Sequence, residues 1–84
     1  MDFIVYLNGN FLPQSQAMVS VTDRGFLMGD AVFEVLLVLQ QMPIMLQQHL
    51  HRLQHSLDEI GLAVAVNTDA TCDNILALIA QQPA

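Results

Sequence analysis

Three histidines, one cysteine, two arginines and eight carboxylates hold most of the reactive potential of this 84-residue chain. His51 and His55 stand four residues apart, the spacing at which two metal ligands share one helix face, and Glu59 extends the row by a turn. A metal site needs a pocket as well as spacing, and this row points away from the apolar stripe of its segment into solvent. No metal site is assigned. His49 borders the stripe and is expected to be half-buried, its ring hydrogen-bonded to a nearby backbone group, with no nucleophile beside it. Cys72 falls on another apolar stripe, where a thiol is a small inert hydrophobe, so a Cys–His hydrolase is not supported. Asp58 and Glu59 belong to an exposed helix end, and Gly25 and Gly29 do not form a dinucleotide-binding pattern.

Arg52 is more informative. With Arg24 it is one of only two cationic side chains, and it lies on the flank of an amphipathic helix. A guanidinium presents a planar fork of donors that matches phosphate or carboxylate. By residue chemistry alone, Arg52 reads as a surface ion pair with a helical neighbour such as Glu59. Lysine is absent altogether. No side chain of this chain can form an imine with an aldehyde cofactor, and no phosphate-loop lysine exists. Lysine-dependent chemistry must come from elsewhere, so no catalytic residue is assigned here.

The elements that must position these groups follow from patterning. Phe3 to Leu7 is a β-branched and aromatic run, and Asn8-Gly9 is a hairpin signal because both residues tolerate positive φ. Asn10 to Leu12 returns as the second strand and Pro13 ends it. Val19 and Val21 alternate with Ser20 and Thr22, predicting a short half-buried strand. Asp23-Arg24-Gly25 and Gly29-Asp30 bracket Phe26, Leu27 and Met28 as a compact turn with a buried tip. Ala31 to Leu39 is nearly all apolar and reads as a strand covered on both faces. Gln40 to Pro43 is the next turn, and Ile44 to Leu46 its partner strand. Leu46, Leu50, Leu53, Leu57 and Ile60 predict a helix, with Gly61 at its C-terminal cap. Leu62 to Val66 reads as a short extended run. Asn67 or Thr68 caps a last helix that buries Cys72, Ile75, Leu76 and Ile79, with Asp69 and Asp73 near its positive end. The whole reads as α+β: a small antiparallel sheet with two helices packed against it.

Eighty-four residues make one domain, yet 54% of them are hydrophobic, which implies apolar surface directed at a second domain or a partner subunit. A net charge of -6 argues against nucleic acid and anionic membranes as partners. One cysteine precludes an intrachain disulfide. The first apolar run is short and lacks a basic start, and no run reaches membrane-spanning length. A soluble cytoplasmic protein is expected.

Two blocks together resemble a known family. Asp23-Arg24-Gly25-Phe26, then Gly29-Asp30, then Val32-Phe33-Glu34, followed after Pro43 by His49-Leu50-x-Arg52-Leu53-x-x-Ser56, are similar to the class IV pyridoxal-phosphate-dependent aminotransferases. That family includes D-amino-acid transaminases, branched-chain transaminases and aminodeoxychorismate lyases. The likeness runs from about Phe3 to Leu62. It implies that residues 1–84 form a single N-terminal small domain of a fold-type IV enzyme, and that the Schiff-base lysine lies in an absent C-terminal domain.

The resemblance also implies roles. Arg52 would bind the phosphate of pyridoxal phosphate, the cofactor of the full-length protein. Phe33, Val35 and Leu37, on one face of the strand after Gly29-Asp30, would line the substrate pocket. D-amino-acid transaminases often carry a tyrosine where this chain has Phe33, and branched-chain members commonly have phenylalanine, so the chirality of the substrate stays open. The implied activity is amino-group transfer between an amino acid and a 2-oxo acid by a homodimer, with this fragment inactive alone. Two alternatives remain beside it: an aminodeoxychorismate lyase fragment, and a non-catalytic association module.

Overall fold

Asn8 and Gly9 have φ of 50° and 88°, as a type I′ turn requires, and they join β1 (Ile4–Leu7) to β2 (Asn10–Pro13). The computed structural model describes residues 2–83 of the chain. Leu7 pairs with Asn10 and Ile4 with Pro13, and the rings of Tyr6 and Phe11 meet across the hairpin at 4.9 Å. The carboxamide of Gln82 then borders β1 as a strand would: Ile4 N–H donates to its oxygen, and its nitrogen donates to Ile4 C=O.

The next two segments differ from expectation. Val19 and Val21 are exposed and belong to no strand. The Ser20 hydroxyl accepts from the Thr22 N–H at 3.1 Å, and the Ser20 carbonyl accepts from Asp23 N–H at 3.0 Å, so local bonds curl the chain into a turn. The turn expected at Phe26 is a short helix, α1 (Arg24–Met28). The Asp23 carboxylate caps the Phe26 N–H, and left-handed Gly29 closes the other end. Arg24 pairs with Asp30 at 2.6 Å across it. Phe26, Leu27 and Met28 are exposed, because none of the described residues covers them.

Ala31 to Leu39 forms a ladder only at its end. β3 (Val38–Leu39) pairs with β4 (Met42–Pro43) through Gln40 and Gln41, both with positive φ. The partner strand is therefore Met42–Pro43 rather than Ile44 to Leu46. Before β3, burial still alternates with period two: Val32, Glu34 and Leu36 are half-buried, while Phe33, Val35 and Leu37 are exposed. A strand needs a neighbour to receive its backbone bonds, and residues 32 to 36 have none among the described residues. One face of the segment is bare, not both covered.

α2 (Leu46–Glu59) carries the leucine stripe as expected, and Leu50 and Leu57 are 4% and 8% exposed, the two buried side chains among the described residues. Past its end, Gly61 adopts φ 76° and donates to Asp58 C=O while Leu62 donates to Leu57 C=O, closing the helix with a left-handed glycine. α3 (Thr68–Ala80) is capped by Asn67, whose side chain accepts from the Ala70 N–H. It lies against β1 and α2, with Cys72, Ile75, Leu78 and Ile79 half-buried. Leu76 projects to solvent instead of joining them. The architecture is α+β, with two separate two-stranded antiparallel sheets and two main helices rather than one sheet. Among the described residues no helix is long and apolar enough to cross a membrane.

Candidate functional site

The bare strand-like segment and the first turns of α2 bring three polar side chains together. Glu34 is the one charged residue in Ala31 to Leu39, and the alternation of that run turns it inward with Val32 and Leu36. Opposite it, His49 and Arg52 are three residues apart, so one face of α2 presents both to the same carboxylate. Arg52 Nε donates to both Glu34 oxygens, at 3.1 and 3.0 Å, and Nη2 donates to Oε1 at 2.8 Å. His49 Nδ1 lies 2.7 Å from the same Oε1.

This is a charge-assisted network with one acceptor at its centre. The Glu34 side chain is 9% exposed, so its charge is tolerable only because it is paired. Its pKa is lowered from 4.5 to about 2, first by the Arg52 hydrogen bond and then by that of His49, with burial acting against both. The same carboxylate raises the pKa of Arg52.

Arg52 itself is 66% exposed. Glu34 occupies only its inner edge, Nε and Nη2. Among the described residues none hydrogen-bonds the outer edge, Nη1 with the second hydrogen of Nη2, which can take another acceptor. A shallow hollow of about 200 Å³ lined by Met45, Gln48, His49 and Arg52 lies beside it.

The other candidates lie apart from this network. The Arg52 partner is Glu34 rather than Glu59, which sits instead 3.4 Å from His55. The ring of His49 meets the Glu34 carboxylate rather than a backbone group. His51 and His55 face solvent, and Cys72 is half-buried with its sulfur 3.6 Å from the amide of Gln47. Phe33, Val35 and Leu37 share one face, as strand periodicity requires, and that face is exposed.

The chain is similar to three kinds of curated protein. It is 35% identical over 72 residues to a Methanocaldococcus jannaschii protein assigned to the branched-chain-amino-acid aminotransferases, covering 86% of this chain and 25% of that one. It is 38% identical over 58 residues to a Staphylococcus aureus D-alanine aminotransferase, 69% of this chain and 21% of the relative. It is 31% identical over 64 residues to a Bacillus subtilis aminodeoxychorismate lyase, 76% of this chain and 22% of the relative. This chain is homologous to part of the class IV aminotransferases. It spans about a quarter of the length of the curated relatives it matches. No protein-family model and no solved structure matches it.

Class IV aminotransferases use pyridoxal phosphate. The donors present here fit one edge of a phosphate: a fixed guanidinium with a bare outer fork, on a rigid helix. They do not fit the covalent end of the cofactor, since the chain contains no lysine.

Proposed function

We propose that this chain is the N-terminal region of a class IV aminotransferase whose complete form transfers an amino group between an amino acid and a 2-oxo acid. In that reading Arg52 takes the cofactor phosphate on its outer edge, and Phe33, Val35 and Leu37 form an apolar wall facing the substrate side chain. The observation that carries it is the Arg52 fork, held on one edge by Glu34 and open on the other. Bound pyridoxal phosphate supplies the electron sink that stabilises charge at the substrate α-carbon. This chain's residues bind and orient. Arg52 fixes the phosphate end by two parallel hydrogen bonds, and the apolar wall would keep water from the reacting carbon. Proton transfer and covalent attachment belong to residues outside it.

The similarity spans transaminases and a lyase, and the transaminase reading rests on the Val32-Phe33-Glu34-Val35 stretch. The test uses the complete gene product. Assayed with D- and L-amino acids and 2-oxoglutarate, it should exchange amino groups, and R52A should weaken pyridoxal phosphate binding. Pyruvate release from aminodeoxychorismate without transamination would instead establish the lyase. Cofactor affinity indifferent to R52A would remove the phosphate role.

A further inference from the structure

Glu34 carries a negative charge to within 2.8 Å of the group that, in the reading above, must attract a phosphate dianion. A simple charge count would make it an obstacle. We propose that Glu34 is instead a positioning residue for the Arg52–phosphate contact, with His49 as its own support; the proposal rests on the assignment of Arg52 to the phosphate.

Three observations carry it. First, Glu34 grips the inner edge of the guanidinium and leaves the outer edge bare, so both contacts can exist at once. Second, the exposures are unequal. The Arg52 side chain is long and 66% exposed, and without an anchor it would sample many rotamers, whereas the Glu34 side chain is 9% exposed. The covered group sets the orientation of the exposed one. Third, Glu34 is itself fixed from a second direction, since His49 meets Oε1 at 2.7 Å from one helical turn before Arg52. His49 and Arg52 thus hold the carboxylate between them, and the carboxylate holds the fork. Orienting the guanidinium before the phosphate arrives removes an entropic cost from binding. Lysine at position 52 could not satisfy both partners with a planar fork.

The two possible roles of Glu34 have opposite signs, which makes the experiment decisive. In the complete gene product, dissociation constants are measured for pyridoxal and for pyridoxal 5′-phosphate by equilibrium dialysis, and the pyridoxal constant divided by the pyridoxal 5′-phosphate constant isolates the phosphate contact. In E34Q the ratio should fall by roughly tenfold, about one charge-assisted hydrogen bond, with pyridoxal affinity unchanged. H49Q should lower it less, in the same direction. A merely structural defect weakens both ligands and leaves the ratio in place. An unchanged or increased ratio in E34Q overturns the positioning role, the increase being the signature of simple repulsion. Should E34Q not fold, H49Q decides by the same ratio. R52A is the separate control: if it leaves the ratio unchanged, the assignment of Arg52 itself has failed, whatever Glu34 does.

Discussion

Glu34 sits in the most apolar stretch of the chain, where an ionised carboxylate survives only through its two donors. That dependence has a pH signature. The folded-state pKa is depressed, so the stabilisation is fully present above the unfolded value of 4.5 and is lost as pH falls toward about 2. Thermal unfolding followed between those limits should show a steeper loss of stability for the wild type than for E34Q. Parallel curves would mean that the network contributes nothing to folding. That Arg52 pairs with a carboxylate is readable from the sequence, because cations are so few here, but which carboxylate it meets is not. Helical spacing offered Glu59, and nothing local to α2 points at a residue eighteen positions earlier. A signal did exist. A lone acid in an apolar run must be paired, and His49 and Arg52, three apart on one helix face, are the pair that could answer it.

Among the elements, those with a local chemical signature were readable and those needing a distant neighbour were not. Asn8-Gly9 sets the hairpin, the leucine spacing and Gly61 set α2, and Asn67 starts α3. The run from Val32 to Leu36 has the alternation of a strand but, among the described residues, lacks the flanking backbone that would make it one. Two backbone positions yield predictions of opposite sign. Gly61 lies at φ 76° with open space around its α-carbon, so Gly61→Ala meets no clash and only conformational strain; it should destabilise by about 1 kcal/mol in urea unfolding. Gln41 holds φ 64° in the second position of the β3–β4 loop, where a side chain is disfavoured. Gln41→Gly should therefore stabilise, or at least escape the usual entropic penalty of glycine, by up to about 1 kcal/mol. A loss there as large as that at Gly61 would show that the loop is not left-handed.

The whole molecule exposes more surface than its mass predicts. Its accessible area is 6491 Å², against about 5000 Å² for a folded monomer of 9.3 kDa. The excess exceeds the roughly 800 Å² that one partner contributes to a standard interface. Much of it is apolar and gathers on α1 and on the bare face of residues 33 to 39. Under the proposed function this face would form a pocket wall; on the chain alone it meets water. With two buried leucines as its core among the described residues, the chain has little stability in reserve and a strong reason to associate. Sedimentation velocity on the 84-residue chain should show species heavier than 9.3 kDa that grow with concentration. Val35 is the place to interfere, since it is exposed on the bare face, on the opposite side of the segment from Glu34. Val35→Asp should shift the distribution toward monomer without lowering the unfolding midpoint. A wild-type chain that stays monomeric as concentration rises would mean that this apolar face is too dispersed to act as a contact surface. A V35D chain that associates undiminished would move the contact to α1, where Phe26→Asp is the corresponding probe.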